Sequence, residues 1–218
     1  MMHKRRKGTL WITLGLLMIG LALSLISYNR YDDLRGSQAA RDIVSAMEMD
    51  SREAAATQTS VELSEEPLPD PDRQMPVKIV DGAEIVGILR IPSLELELPV
   101  ISQWSYPSLK TAPCRYSGSA YQNNLILCGH NYAAHFGNLK TLREGESVQF
   151  LDMEGTDFFY EVVALETLMP TAVEEMAAGN WDLTLFTCTL GGESRVTIRC
   201  RLSGCGMGDT CVLGENSV

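Results

Sequence analysis

The chain has 218 residues, which suits one modest domain with further segments or two very small domains. Because 45% of the residues are hydrophobic and 21% are charged, the chain can build a packed core, and this composition argues against wholesale disorder. Its formal net charge of -10 argues against a nucleic-acid partner, since phosphate binding requires a basic surface.

The N-terminal segment predicts a membrane anchor. A basic leader, residues 1–9, precedes an uncharged and almost wholly apolar run, residues 10–28. A helix rises about 1.5 Å per residue, so this run would extend about 28 Å and cross the hydrocarbon core of a bilayer. The charges of Lys4 to Lys7 predict a single pass of the cell membrane, with a cytoplasmic N-terminus and an extracellular remainder. A cleaved signal peptide is the alternative, but bulky polar residues follow the run where small residues would mark cleavage.

Residues 29–76 are predicted to form an acidic extracellular linker. Between Tyr31 and Val80, eleven acidic residues stand against five basic ones, so more than half of the net charge lies here. A helix is possible over Gln38 to Met49, after which Ala, Thr, Ser, Glu and Pro dominate. Such a composition buries little apolar surface and favours an extended or mobile spacer that holds a domain away from the membrane.

Residues 77–202 are predicted to form one folded domain. At least seven short runs have the apolar pattern of strands: 85–91, 94–98, 124–128, 147–151, 157–165, 183–188 and 195–202. Short helices are expected in Phe136–Leu142 and Thr171–Ala178. Many short strands with few helices indicate an all-β barrel or sandwich.

The cysteines do not form a recognisable metal motif. The chain has six of them, without a CxxC pair or a repeated spacing, which argues against a zinc ribbon and a thioredoxin-like motif. No metal site is therefore predicted. Residues 203–218 form a glycine-rich tail that is predicted to be irregular. Its Cys205 and Cys211 could pair outside the cell or stay as free thiols, and the sequence leaves both states open.

Three residues are candidates for catalysis. Cys188 ends an alternating apolar strand, Arg195 opens the next one, and His130 follows a buried strand and Gly129. A cysteine can attack a carbonyl, an imidazole can act as general acid and base, and a guanidinium can donate to an oxyanion. Strand ends that are distant in sequence can be neighbours in a closed barrel. His135 is the rival imidazole, but His130 is favoured because it follows a buried strand and a glycine.

The same residues carry a resemblance to a known family. The loop of cysteine phosphatases, Cys-x5-Arg, is excluded, because six residues separate Cys188 from Arg195. Instead the sequence resembles the sortases, cysteine transpeptidases of Gram-positive cell surfaces. The resemblance covers about residues 83–202. The motifs that carry it are Thr184-Leu185-Phe186-Thr187-Cys188, Arg195-Val196-Thr197-Ile198, Gly129-His130-Asn131, Phe136-Gly137-Asn138-Leu139, Gly87-Ile88-Leu89-Arg90-Ile91-Pro92 and Leu98-Pro99-Val100-Ile101.

The resemblance implies an eight-stranded sortase-type β-barrel with short helices, preceded by one transmembrane helix. It implies that residues 77–202 are a catalytic domain in which Cys188 is the nucleophile, His130 the general acid and base, and Arg195 the donor to the substrate carbonyl. The expected partners are surface proteins with a C-terminal sorting motif of the LPXTG type and an amine of a cell-wall precursor or a pilin. The chemistry that the resemblance implies needs no metal and no organic cofactor.

Two other functions and the class of sortase stay open. Water instead of an amine could resolve the thioester, which would make the protein a hydrolytic cysteine endopeptidase. A membrane-anchored barrel that only binds peptides is the non-catalytic alternative. Asn131-Tyr132 after the histidine resembles class B sortases, whereas other segments fit several classes.

Overall fold

The computed structural model describes residues 2–57, 73–179 and 181–207. The helices and strands in chain order are α1 (Met2–Thr57), β1 (Lys78–Val80), β2 (Ala83–Ile91), β3 (Leu96–Ile101), α2 (Tyr106–Leu109), β4 (Cys114–Ser117), β5 (Leu125–Gly129), β6 (Ser147–Asp152), β7 (Thr156–Leu168), α3 (Val173–Ala177), β8 (Leu183–Cys188) and β9 (Arg195–Met207). Short 3-10 turns lie at Pro92–Leu94, Ala120–Gln122 and Leu139–Thr141.

Eight of the nine strands found in these residues form a closed ring. Their order is β2, β3, β4, β5, β8, β9, β7, β6, and β6 pairs again with β2, where Gly87 lies opposite Asp152. Strand β1 adds to the start of β2, with Val80 opposite Ala83. The pairs β3–β4 and β5–β8 are parallel, and the others are antiparallel. The prediction of an all-β fold built on eight ring strands is confirmed.

The strand prediction holds best where apolar alternation is long. All seven predicted runs contain strands, and β8 has the predicted bounds. Strands β1 and β4 were not predicted, since three and four residues are too few to establish a period. The helix expected over Phe136–Leu142 is only the 3-10 turn Leu139–Thr141, whereas α3 lies within the expected segment.

Helix α1 differs most from the prediction, because it continues to Thr57 through the first half of the expected linker. Ala40, Ile43 and Met47 are buried on the folded domain, Ala40 in one apolar cluster and the other two in a second. Their spacings of three and four residues place them on one face of the helix. The helix that the sequence allowed over Gln38 to Met49 is present as part of α1. The average composition of this segment concealed its buried stripe, and residues 50–57, which were expected to be extended, continue the helix. The rest of the linker up to residue 72 lies outside the described residues.

The first part of α1, up to Arg35, is a compact unit of its own. The apolar side chains from Trp11 to Ile26 are exposed within it, as Trp11, Leu16 and Leu17 illustrate. From Trp11 on, the helix is long and apolar enough to cross a membrane by length and composition. The helix that the sequence predicted as an anchor is therefore present.

The predicted irregular tail begins as regular structure. Strand β9 extends to Met207 and stays paired with β7, with Cys205 opposite Phe158 and Met207 opposite Thr156. The prediction of an irregular segment from residue 203 is therefore wrong for its first five residues. Cys211 lies outside the described residues, so both states that the sequence left open for Cys205 and Cys211 stay open.

The core is divided by the sheet into two apolar clusters. Leu125, Leu127, Leu183 and Leu185 belong to the larger cluster, which also contains Phe136, Phe150 and Tyr160. Cys128 belongs to the smaller cluster, and Phe186 packs against it. Since successive side chains alternate between the faces of a strand, these clusters cover opposite faces of β5 and β8. The ends of these two strands carry the candidate site.

Candidate active site

Cys188 is the last residue of β8 and its side chain is exposed. It lies directly opposite Arg195, the first residue of β9, in the antiparallel β8–β9 pair. Side chains of directly opposite residues stand on the same face of a sheet. The structure therefore brings the predicted thiol and the predicted guanidinium together at one end of the pair.

His130 reaches the same place from the other neighbour of β8. In the parallel β5–β8 pair, Gly129 is the partner of Thr187. His130 and Cys188 each follow that pair by one residue, so they lie side by side at the ends of adjacent strands. His130 is half-buried. The side chain of His130 points to the face of the sheet that carries Cys128 and its partner Phe186, because side-chain direction repeats every second residue.

The backbone before His130 requires a glycine. A Cβ atom at Gly129 would lie 2.6 Å from the ring of Phe136, which is fully buried in the core. The amide of Phe136 donates to the carbonyl of His130 at 3.1 Å. On the side chain, Nδ1 of His130 lies 3.1 Å from both the backbone N–H and Oδ1 of Asn131. These contacts fix the ring on its Nδ1 side.

The rival histidine lies in a different environment. His135 is completely buried and its ring is 5.4 Å from the ring of Tyr132, centroid to centroid. The structure thus gives the half-buried position beside Cys188 to His130 and a position among packed rings to His135.

Arg195 is held by the turn that joins β8 and β9. Its Nη1 donates to the carbonyls of Gly192 and Ser194, both at 3.2 Å. Thr189 closes the turn, since its amide donates to the carbonyl of Ser194 at 2.9 Å and its Oγ1 accepts from the amide of Ser194 at 3.1 Å. A guanidinium carries five N–H donors, so these bonds orient Arg195 without using its full donor capacity.

Arg199, on the same face of β9, has a different environment. It is only 2% exposed, and its guanidinium donates to Glu166 on β7, to Thr184 on β8 and to two carbonyls of α3, those of Glu175 and Met176. A buried charge is tolerated only with such partners. Arg199 therefore ties three elements together.

Arg201 is also engaged away from Cys188. Its guanidinium lies over the ring of Trp181 at 4.9 Å, and it is 3.9 Å from a carboxylate oxygen of Asp182. Of the three arginines in β9 that the sequence offered, Arg195 is the one paired with Cys188.

Replacing Arg199 with methionine should lower the free energy of unfolding by about 2–4 kcal/mol, because β7, β8 and α3 lose a shared buried donor. The matched control is Arg195→Met, the same substitution on a half-buried side chain of the same strand, for which we expect a change below about 1 kcal/mol. Chemical denaturation of both variants measures the difference. Equal losses would contradict the structural role of Arg199.

Three other cysteines are buried and have raised pKa values. Burial raises the pKa of the Cys114 thiol to about 12. Burial and the neighbouring Cys114 raise the pKa of Cys128 to about 12, and burial together with Asp182 does the same for Cys200. Because the thiolate is the reactive form, these side chains are protected from chemistry that an exposed thiol can perform.

We expect iodoacetamide at pH 8 to label Cys188 in the folded protein and to leave Cys114, Cys128 and Cys200 unmodified. With pKa values near 12, about one in 10⁴ of these thiols is ionised at pH 8, and raising the pH to 9 increases that fraction only about tenfold. Peptide mapping by mass spectrometry reads the sites, with the denatured protein as the fully labelled control. Rapid labelling of Cys128 in the folded state would contradict the burial described here.

An aromatic surface beside the site was missed by the sequence interpretation. Phe186 lies two residues before Cys188 on the same face of β8. The centroid of its ring is 5.3 Å from that of Tyr116, and the ring centroids of Tyr116 and Trp104 are 6.0 Å apart. Trp104 contacts Tyr106 at 5.9 Å, and both are exposed. The aromatic residues were visible in the sequence, but they come from three separate segments that only the fold unites.

The fold and the site define a class of protein. A closed ring of eight strands, with a cysteine at the end of β8 between a histidine and an arginine from its two neighbours, is a sortase-like architecture. The family model for the sortase domain matches residues 89–203, slightly more than half of the chain. The chain belongs to the sortase family.

A curated relative supports the same family. The chain is similar to sortase A of Bacillus anthracis, with 27% identity over 115 residues, which are 50% of this chain and 54% of the relative. The chain thus spans about half the length of that curated relative.

Sortases of known structure are also similar to this chain. Sortase A of Listeria monocytogenes has a TM-score of 0.50 and 19% identity, covering 60% of this chain and 92% of that one. Sortase E of Streptomyces avermitilis has a TM-score of 0.49 and 24% identity, covering 56% of this chain and 90% of that one. Sortase C of Clostridium perfringens, solved with the C-terminal cell wall sorting motif, has a TM-score of 0.49 and 22% identity. The match covers 55% of this chain and 71% of that one.

Proposed function

We propose that this chain is a membrane-anchored cysteine transpeptidase of the sortase type. It cleaves a peptide bond within a C-terminal sorting motif of surface proteins, of the LPXTG type, and joins the new carboxyl end to an amine of a cell-wall precursor or of a pilin lysine. The observation that carries the proposal is the strand register, since His130, Cys188 and Arg195 lie together on one face at the ends of β5, β8 and β9.

In the first half of the reaction, the sulfur of Cys188 attacks the carbonyl carbon of the scissile peptide bond. A carbon–sulfur bond forms as His130 takes the proton of the thiol, and the carbon–nitrogen bond breaks as His130 passes that proton to the leaving amine. Arg195 donates hydrogen bonds to the carbonyl oxygen while negative charge develops on it. Arginine suits this role because it stays protonated at any working pH and cannot act as a base.

In the second half, an amine attacks the thioester. His130 takes the proton from the incoming nitrogen, an amide bond forms, the carbon–sulfur bond breaks, and His130 returns the proton to the sulfur of Cys188. The contacts of Nδ1 with Asn131 leave Nε2 as the ring nitrogen that exchanges the proton. The exposure of Cys188 is consistent with access for two large substrates in succession.

The aromatic surface formed by Phe186, Tyr116, Trp104 and Tyr106 supports a peptide substrate. It begins two residues from Cys188 and ends on exposed rings, so an extended chain that reaches the sulfur passes close to it. Aromatic rings bind apolar side chains over a large area with little loss of conformational freedom.

The apolar helix from Trp11 on supports the anchoring. In our proposal it spans the cell membrane once, the basic leader stays in the cytoplasm, and the ring domain faces outward. The sorting motifs of exported proteins and the amines of the cell wall are both available on that side.

The experiment uses the full chain in detergent micelles with a panel of sorting-motif peptides, with and without glycine, lysine and diaminopimelate amines. We expect a product whose mass equals the N-terminal peptide fragment joined to the amine. Cleavage at the same rate and with the same hydrolysed product in all samples would favour an endopeptidase. Peptide that binds but remains uncleaved would favour a binding module, and either result contradicts transpeptidation.

A further inference from the structure

His130 lies flat against the ring of Tyr132, two residues further along the chain. Their ring centroids are 4.0 Å apart and their planes differ by only 7°. Both side chains are half-buried. A tyrosine that covers one face of an imidazole restricts the rotation of that ring, because any large rotation loses the stacked contact.

The backbone that carries the two rings is tightly closed. The carbonyl of Tyr132 accepts from the amides of His135 and Gly137 at 3.0 and 2.9 Å, and the carbonyl of His130 accepts from Phe136. Phe136 is fully buried in the core. The stack therefore belongs to a turn that the core holds in place, and it is not a chance contact between exposed side chains.

Helix α1 packs against the same tyrosine. A Cβ atom at Gly36 would lie 3.0 Å from the carbonyl oxygen of Lys110, 3.1 Å from Cδ2 of Tyr132 and 3.3 Å from Cε1 of His135. Gly36 precedes Ala40, Ile43 and Met47 at spacings of three and four residues, so it continues their buried stripe. The missing side chain lets the helix approach the ring closely, and a larger residue would push against Tyr132.

We propose that Tyr132 is a positioning residue for His130, and that α1 supports Tyr132 through its contact at Gly36. The inference rests on the proposed function, because it assigns His130 as the acid and base that serves Cys188. The stack keeps the imidazole at the end of β5 beside the sulfur. The face of a tyrosine ring also attracts a cation, so the stack persists when the imidazole takes up a proton.

The kinetic test compares Tyr132→Leu with Tyr132→Phe in the full chain, using a sorting-motif peptide and an amine. Loss of the ring should lower kcat by about 10- to 100-fold at a nearly unchanged KM, as a small misplacement of a catalytic group does. Phenylalanine keeps the ring, so the kcat of Tyr132→Phe should stay within about twofold of the kcat of the unsubstituted protein. Equal losses for both variants, or full activity of Tyr132→Leu, would overturn the positioning role.

A spectroscopic test needs no activity. The chain contains three histidines, so a histidine-selective isotope label gives three sets of ring signals in an NMR spectrum. The ring current of Tyr132 should move the His130 protons upfield, and this shift should disappear in Tyr132→Leu and remain in Tyr132→Phe. If the His130 signals have the same positions in Tyr132→Leu as in the unsubstituted protein, the stack is contradicted. If the unsubstituted protein performs no acyl transfer, the proposed function is contradicted, so the two failures are distinguishable.

The contact with α1 has a matched pair of variants. Gly36→Leu and Gln38→Leu introduce the same side chain into the same helix, but position 36 faces Tyr132 whereas Gln38 is exposed. We expect Gly36→Leu to shift the His130 ring signals and lower kcat at least about fivefold, and Gln38→Leu to change neither. Identical spectra and rates for the two variants would overturn the support by α1.

Discussion

Cys188→Ala is expected to abolish the covalent intermediate and to lower turnover of a sorting-motif peptide by about 10⁴–10⁶-fold. The sulfur is the only protein atom in the proposed mechanism that forms a bond to the substrate carbon, so His130 and Arg195 cannot compensate for its loss. The side chain is exposed at a strand end, and its removal leaves no cavity in the core. The variant should therefore keep the fold and the stability of the unchanged protein.

The matched control for this experiment is Cys205→Ala, a second cysteine of the same domain that pairs with Phe158 far from the ends of β5 and β8. We expect it to retain turnover. Peptide cleavage and unfolding should be measured on the same preparations. A Cys188→Ala protein that still processes the peptide at more than a few per cent of the normal rate would refute covalent catalysis and favour the binding module.

His130→Ala is expected to lower kcat by about 10²–10⁴-fold, because both halves of the reaction lose their proton carrier. His130 is half-buried at the ring edge, so the effect on unfolding should be small. Exposure of Cys188 to alkylation should persist in the variant. The loss should therefore appear in the rate and not in the amount of folded protein.

His135→Ala should give the opposite pattern. Its side chain is completely buried, so truncation removes core contacts and should lower the free energy of unfolding by about 1–3 kcal/mol. Well below its unfolding temperature, this variant should keep more than about a tenth of the activity. If His135→Ala were the inactive variant and His130→Ala the active one, the assignment of the general acid and base would be wrong.

The candidate site could be predicted from the sequence because its residues stand at strand ends. Apolar alternation identified β8 with its bounds, and the end of an alternating run marks where a side chain can become exposed. The order of strands around the ring, which makes β5 and β9 the two neighbours of β8, did not follow from any local pattern. This order was not predicted, since pairing of distant strands is a property of the whole fold.

The helix that follows the apolar run shows the limit of composition. Residues 29–76 as a whole are acidic and rich in linker residues, yet the contacts of Ala40, Ile43 and Met47 join part of them to the domain. Three well-spaced residues decide the burial of a helix face, whereas composition averages over all of them. A fragment that starts at residue 77 would lack these contacts, so the experiments above use the full chain.

The supporting contacts of the site were also beyond sequence interpretation. The four hydrogen bonds of Arg199 reach β7, α3 and β8, and their partners lie 15 to 33 residues away along the chain. No periodicity identifies such a partner set. The sequence offered Arg195, Arg199 and Arg201 together, and only the register of β8 against β9 separates the arginine beside Cys188 from the two that bind elsewhere.

The most direct test of the account is the mass of the protein after brief incubation with a sorting-motif peptide and no added amine. The account predicts an adduct equal to the N-terminal peptide fragment, located by peptide mapping on Cys188, which disappears when an amine is added. Absence of any adduct while the peptide is cleaved, or an adduct on another residue that turns over, would contradict it.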